Sequence, residues 1–171
     1  MFKPGDIIIY GNTGVCRVEE ISCPNLPGAD KTKEYYLLTP LFQEGKIYTP
    51  VDNSKVFIRS AITRQQADEL IDMIPQLQVH QISSTSIQQL DDRYRAFFST
   101  HNCADLLELI ISVYNKKHSP SNSRQKLGQI DERYMKRAEG LLYGELAYAL
   151  GITPKEVPHY ISCRINQLSK E

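Results

Sequence analysis

The residue pattern changes at about residue 62, and this change constrains the fold more than any other feature of the 171-residue chain. Before it, short runs of β-branched and aromatic residues alternate with turns rich in Gly, Pro and Asn, which is typical of β-strands. After it, apolar residues recur every three or four positions, which is typical of amphipathic helices. We therefore expect an α+β protein with two domains, residues 1–62 and residues 63–171.

Short strands dominate the predicted first domain, and the pattern places five of them at about residues 6–10, 15–21, 34–40, 46–50 and 56–59. Five strands of this length are too few for a two-sheet sandwich. They are enough for a small SH3-like or Tudor-like β-barrel, which buries one face and shortens its open edges. Pro50 lies at the end of the fourth strand, and proline is tolerated on an edge strand but not in a sheet centre. We therefore expect this strand to form an exposed edge.

The second domain is predicted to be all-α, with about five helices. Thr63 and Gln66 have the spacing of a capping box and predict the start of the first helix. The remaining helices are predicted at about residues 87–99, 103–117, 124–150 and from 153 onward. Gly140 and Gly144 lie inside the fourth helix, where each costs about 1 kcal/mol relative to alanine. We expect another helix to pack closely across them.

Composition and charge exclude several classes of protein. The 20 basic residues balance the 20 acidic residues, and 41% of the chain is hydrophobic. A wholly disordered chain would be less apolar or more highly charged, and a basic coat protein of nucleic acid would carry a net positive field. No apolar run reaches the ~18 residues that would span a membrane, and the N-terminus lacks the pattern of a signal peptide. We therefore expect a cytoplasmic protein without membrane contact.

Catalytic and metal-binding patterns are absent from the sequence. It has no glycine-rich phosphate loop and no nucleophile elbow, and its four cysteines form no C-x-x-C pair. We predict no metal, no cofactor, no small-molecule substrate and four cysteines that behave as small buried hydrophobes. An enzyme that uses His101 and Cys103 is the alternative. It is disfavoured because sequence neighbours rarely face each other, and Asn102 fits a helix cap better.

Two acidic pairs, Asp91-Asp92 and Asp131-Glu132, lie on predicted helices. They have the form of the carboxylate pairs that act as acid and base in some enzymes. Arginines at helical spacing lie near each pair, and carboxylates at such spacing support arginines on a solvated helix surface. We therefore interpret both pairs as solvated helix faces.

Local excesses of positive charge occur in the helical half although each half is neutral. Residues 116–137 carry seven basic and two acidic side chains, and Arg93 and Arg95 flank Tyr94. A basic patch of this kind can hold a few phosphates, which makes Lys126 and Arg133 candidate DNA contacts. The same charges fit a solvated helix pair equally well, so charge alone leaves both interpretations open.

Several spaced residues of the first domain resemble the N-terminal domain of the CarD/CdnL family of bacterial transcription regulators. The same domain is similar to the RNA-polymerase-interacting domain of the transcription-repair coupling factor. The residues that carry the resemblance are Phe2-Lys3, Gly5-Asp6, Tyr10, Gly14-Val15, Glu34-Tyr35-Tyr36, Thr49-Pro50-Val51-Asp52-Asn53 and Ile58-Arg59. In the helical half, Arg93-Tyr94-Arg95-Ala96 and Gly144-Glu145-Leu146-Ala147 are similar to the family pattern in the expected order.

The resemblance implies a Tudor-like domain that docks on the β subunit of bacterial RNA polymerase. Carried over by position, the docking residues are Ile47, Tyr48, Thr49 and Pro50. This position agrees with the edge strand inferred from Pro50, because addition of a strand to an exposed edge is a common mode of recognition. The family therefore implies that these residues form the contact with polymerase.

The resemblance also implies that the helical domain reaches promoter DNA at the upstream edge of the transcription bubble, through Leu90, Arg93, Tyr94 and Arg95. Many relatives carry a tryptophan wedge just before the Arg-Tyr pair, whereas this chain contains no tryptophan. Leu90 occupies the matching position, and leucine can act as an apolar wedge. Its helical spacing also places Leu90 in the buried stripe of its own helix, which is the interpretation we favour.

These observations predict a regulator that binds RNA polymerase and modulates the stability of the promoter open complex. The alternative is a polymerase-binding module whose helical domain recruits a protein partner instead of DNA.

Overall fold

A computed structural model describes residues 1–25, 27–80, 82–84, 86–119 and 127–169. The chain divides into two compact units, Met1–Ile62 and Thr63–Glu171. The first contains a single antiparallel sheet, and the described part of the second contains five α-helices. The predicted α+β class is confirmed.

The sheet of the first unit is open. Its strands are β1 (Ile7–Tyr10), β2 (Gly14–Ser22), β3 (Tyr35–Pro40), β4 (Ile47–Pro50) and β5 (Ile58–Ser60). Their order is β4-β3-β2-β1-β5, so β4 and β5 form the two edges. The expectation of a closed barrel is wrong, because closure needs these two short strands to pair and the described ladders join them only to β3 and β1. The expectation that the strand ending at Pro50 is an edge strand is confirmed.

One face of the sheet carries the core of the first unit. Five buried side chains form this core, namely Ile8, Cys16, Val18, Tyr36 and Leu38. Burial raises the pKa of the Cys16 thiol to about 11, which keeps it protonated and unreactive. Cys103 is buried as well, but Cys23 and Cys163 are exposed, so the prediction of four buried cysteines is wrong for those two.

The helical unit contains α1 (Arg64–Asp72), α2 (Ile87–Ser99), α3 (Cys103–His118), α4 (Gln129–Leu150) and α5 (Val157–Leu168), with a short 3₁₀ turn at Ile74–Gln76. The predicted capping box of Thr63 and Gln66 is present, and Asn102 caps α3 as expected. The fourth helix is expected to start at residue 124, which lies outside the described residues. Helix α4 begins at Gln129. The last helix begins at Val157 and not at residue 153. Pro158, which has no N–H to donate, lies in its first turn.

Helix α4 packs against each of the other four helices and supplies the centre of the second core. Its buried stripe includes Tyr134, Ala138, Leu142, Leu146 and Leu150. The expectation of a close helix contact at Gly140 is wrong, because a Cβ atom added there would meet no atom within 4 Å. Gly140 faces outward, on the side of α4 away from its neighbours. Within the described residues, no helix combines the length and the apolar character needed to cross a membrane.

Candidate functional site

The outer edge of β4 exposes backbone hydrogen-bonding groups at Tyr48. The backbone N–H of Val51 donates to the carbonyl of Glu34 at 2.9 Å, just beyond the Tyr35–Pro50 pair of the ladder. In an antiparallel ladder, hydrogen-bonded pairs alternate with pairs whose groups point outward. The backbone groups of Ile47 and Thr49 therefore face β3, and the N–H and carbonyl of Tyr48 point away from the sheet.

The side chains of β4 separate onto two faces. Ile47 packs against the core cluster, and Thr49 is 1% exposed. The Oγ1 atom of Thr49 accepts a hydrogen bond from Nδ2 of Asn53 at 2.8 Å, so this side chain holds the turn after β4. Tyr48 lies on the opposite face and is 41% exposed. Of the predicted polymerase contacts, Tyr48 therefore offers both its side chain and its backbone to a partner.

Pro50 ends the accessible edge. It has no N–H, and its carbonyl accepts a hydrogen bond from the backbone N–H of Asn53 at 3.0 Å. Across the ladder, Tyr48 lies opposite Leu37, which itself lies opposite Glu20 on β2. The edge is thus short, with one aromatic side chain beside a buried aliphatic one, and it suits the addition of a short extended segment.

Asp91 forms ion pairs with two arginines on the surface between α2 and α4 in the helical unit. Its Oδ2 atom lies 2.6 Å from Nη2 of Arg95, one helical turn away. Its Oδ1 atom accepts from Nη2 of Arg133 at 2.7 Å and from the hydroxyl of Tyr134 at 2.8 Å. The hydrogen bond that the Arg95 guanidinium donates to the Tyr134 oxygen, and then the charge of Asp91, raise the pKa of Arg95. The interpretation of Asp91 as a carboxylate that supports neighbouring arginines is confirmed.

Asp131 differs from Asp91 because it is 2% exposed. Its carboxylate accepts from the hydroxyl of Tyr94 at 2.5 Å and forms an ion pair with Nζ of Lys116 at 2.7 Å. Burial, and next the hydrogen bond to Asp131, raise the pKa of Tyr94, which therefore stays a donor. The interpretation of Asp131 as part of a solvated face is wrong. The carboxylate is buried because a tyrosine and a lysine from other helices satisfy it.

The predicted DNA contacts fall into three groups. Leu90 is 7% exposed and Tyr94 is fully buried, so both side chains belong to the helical core. Arg93, Arg95 and Arg133 are exposed, and Nη1 of Arg93 donates to the carbonyl of Ser83 at 2.8 Å. Lys126 lies outside the described residues.

Two further exposed cations of α4 belong to the same surface, although sequence reasoning did not select them as contacts. Lys136 and Arg137 lie three and four residues after Arg133, so all three share one face of α4. The guanidinium of Arg137 lies 4.6 Å from the ring centre of Phe98, which fixes it over α2. Helical spacing from Arg133 was the signal that could have identified them. Arg93 lies two residues from Arg95 and so points to another side of α2. We call the set Arg95, Arg133, Lys136 and Arg137 the basic face.

A groove of about 1110 Å³ adjoins this face between α2 and the start of α4. Leu90 and Asp131 line its buried part, whereas Ile87 and Arg133 line it nearer the surface. Ile87 is the most exposed large apolar side chain among the described helices. The groove therefore has both apolar side chains, Ile87 and Leu90, and charged ones, Asp131 and Arg133, in its lining.

Of the alternative catalytic pair, Cys103 belongs to the core, whereas His101 lies partly exposed in the turn before α3. Cys103 Sγ lies 3.1 Å from Oε2 of Glu145, and both residues are buried. His101 precedes the helix in a left-handed backbone conformation, with φ of 52°. Within the described ranges, no group of three or more His, Cys, Asp or Glu side chains is placed to hold a metal ion.

Residues 2–62 match the family model of the CarD-like/TRCF RID domain. This family consists of RNA-polymerase-interacting domains of transcription proteins and is not a known class of enzymes. The match confirms the resemblance seen in the first 60 residues. No curated protein matches the chain.

Proposed function

Residues 2–62 are a CarD-like/TRCF RID domain, and from this premise we propose that the protein is a transcription regulator that docks on the β subunit of bacterial RNA polymerase. The family match is the observation that carries this proposal. The open edge of β4 supports it, because the edge presents the N–H, the carbonyl and the exposed ring of Tyr48. A short strand of polymerase pairs with Tyr48, and the tyrosine ring covers the new contact.

The helical unit contacts promoter DNA near the upstream edge of the transcription bubble through the basic face. The four cations of this face support phosphate contacts, and the burial of Leu90 and Tyr94 removes an apolar wedge from the mechanism. Contacts of this kind position the protein on DNA without reading its sequence.

The regulator acts by stabilising one state of the initiation complex. A protein that binds polymerase and promoter DNA together favours the state in which both contacts form. A coupling free energy of about 1–3 kcal/mol changes the occupancy of that state by roughly 5- to 150-fold.

A second candidate is recruitment of a protein by the helical unit in place of DNA. The groove with the exposed Ile87 favours it, because exposed apolar side chains beside a groove suit a protein partner. Phosphate contacts lose affinity steeply as salt rises, whereas an apolar interface does not, so the salt dependence of promoter-complex binding separates the two candidates.

The Tyr48→Arg variant of the full-length protein tests the polymerase contact. We expect it to weaken capture of purified RNA polymerase by at least about tenfold, because a charged side chain replaces the exposed ring at the interface. Binding is measured by titrating polymerase against fluorescently labelled protein.

Phe57→Arg is the matched control, because Phe57 is 42% exposed but adjoins β5 at the opposite edge of the sheet. It should leave polymerase binding unchanged. Equal loss in both variants, or no loss in Tyr48→Arg, would place the polymerase contact elsewhere.

A further inference from the structure

The carboxylate of Asp91 occupies a ready-made site for an oxyanion. Arg95 reaches it from the same helix at 2.6 Å, while Arg133 and Tyr134 reach it from α4 at 2.7 and 2.8 Å. Two guanidinium groups and one hydroxyl form a donor set that binds phosphate as readily as carboxylate. The donors come from two packed helices, so their spacing does not depend on a loop.

The arginines of this cluster are much more accessible than Asp91. The side chains of Arg95 and Arg133 are 68% and 65% exposed, against 16% for Asp91. A guanidinium carries five N–H donors, so a contact with Asp91 leaves donors for a second acceptor. An approaching phosphate therefore meets the same arginines that Asp91 already holds.

We propose that Asp91 is an internal competitor for the phosphates of DNA and keeps the affinity of the basic face low. The inference rests on the DNA contact proposed above and adds the residue that limits it. A backbone phosphate shares or displaces Asp91 at Arg95 and Arg133, and the fixed negative charge of Asp91 opposes its approach. The neighbouring Asp92 is exposed, and the structure gives it no ion pair with these arginines.

The experiment compares the full-length protein with its Asp91→Asn and Asp92→Asn variants in binding to a short labelled DNA duplex, at several salt concentrations. Asparagine keeps the shape of aspartate, and both variants remove one negative charge from adjacent positions. We expect Asp91→Asn to bind about tenfold more tightly at low salt and Asp92→Asn about twofold, because only the first releases two arginines. Its salt dependence should also steepen, by about 0.9 in log–log slope for each added phosphate contact.

Adding Arg133→Gln to Asp91→Asn should remove most of the gain, since it removes one of the released cations.

A measurement on the unaltered protein tests the inference even if Asp91→Asn does not fold. In ¹H–¹⁵N NMR spectra, the Nε–H signals of Arg95 and Arg133 should shift on addition of DNA. The signal of Arg164, which is held by Asp72 on α1, should not.

Three results would overturn the inference. Equal gains in Asp91→Asn and Asp92→Asn would mean that only net charge matters, and DNA contact itself would stand. Weaker binding by Asp91→Asn would mean that Asp91 orients the arginines for phosphate. Absence of DNA binding in every variant would also remove the DNA contact from the proposed function, while polymerase binding is decided separately by Tyr48→Arg.

Discussion

Two glycines of α4 show how backbone conformation decides the effect of a single methyl group. Gly140 lies in the middle of the helix, and Gly151 ends it with φ of +72°. A Cβ atom added at either position would meet no atom within 4 Å, so space does not distinguish them. Only Gly151 has a left-handed conformation, which disfavours any residue with a side chain.

Gly140→Ala should therefore raise the free energy of unfolding by about 0.5–1 kcal/mol, because alanine is the better helix former and loses less chain entropy on folding. Gly151→Ala should lower it by about 1 kcal/mol through strain at the helix end. Urea denaturation of the two variants measures both values. A destabilised Gly140→Ala would mean that the glycine serves a close contact in the folded protein.

The same scale explains why Asp91 and Asp131, each three residues before a tyrosine, behave differently. Asp131 lies in the first turn of α4 with Tyr94 and Lys116 as partners, and is buried. Asp91 lies beside arginines that face solvent and stays partly accessible. Burial of a charge follows from the partners that the fold brings to it, since an unpaired charge could not leave water.

At the scale of elements, α5 is held on α1 by one arginine. Nη2 of Arg164 donates a hydrogen bond to Oδ2 of Asp72 at 2.8 Å, and Nε donates one to Oδ1 of the same carboxylate. Nη1 of Arg164 lies 3.2 Å from Oδ1 of Asp68. The hydroxyl of Tyr160 also donates to Asp68, at 2.8 Å. Paired contacts of this geometry are stronger than a single ion pair on a surface.

The hydrogen bond from Arg164 lowers the pKa of Asp72, which fixes the sign of a pH dependence. A carboxyl group with a depressed pKa in the folded state stabilises the fold above its ordinary pKa, and this contribution is lost as pH falls through the folded value. We expect the free energy of unfolding to decrease below about pH 4, the ordinary range of aspartate. Arg164→Met should flatten this decrease.

At neutral pH, Arg164→Met should destabilise the protein by about 1 kcal/mol once screening by solvent is allowed for. Lys155→Met is the control, because it removes an exposed cation just before α5 and should leave the acid dependence intact. Denaturation at a series of pH values gives both readings. An unchanged acid dependence in Arg164→Met would assign it to other carboxyl groups.

At the scale of the whole molecule, the absence of net charge limits the affinity of the isolated protein for DNA. Basic and acidic residues balance over the chain, with seven of each in residues 1–62 and thirteen of each in residues 63–171. No long-range field draws the protein to DNA, so a local basic face gives only weak contact. In the proposed function, docking on polymerase supplies the local concentration that makes this contact effective.

The protein should therefore bind a polymerase–promoter open complex more tightly than polymerase alone, by about 5- to 150-fold. By thermodynamic linkage, bound protein must shift the equilibrium of polymerase and promoter toward the open complex by the same factor. Titration of labelled protein with polymerase, with and without promoter DNA, measures the first factor, and the lifetime of the open complex tests the second. Equal affinity for both forms would exclude stabilisation of the open state.

Local signals in the sequence determined the types of element and several of their ends. The change of apolar spacing separated strands from helices, Thr63 with Gln66 predicted the start of α1, and Pro50 predicted an edge strand. Each signal acts within a few residues through capping, turn chemistry or a missing N–H, and needs no distant partner. The matched residues of the first domain predicted its family for the same reason, because they are read in order along the chain.

The tertiary structure alone decided which strands leave the sheet open and which charged side chains lie inside. Closure of the sheet depends on whether β4 reaches β5, and burial of Asp131 depends on Tyr94 and Lys116, which are 37 and 15 residues away. The pairing of Asp91 with Arg133 spans 42 residues in the same way. Such contacts carry no local signal, because their free energy comes from groups that meet only after the chain has folded.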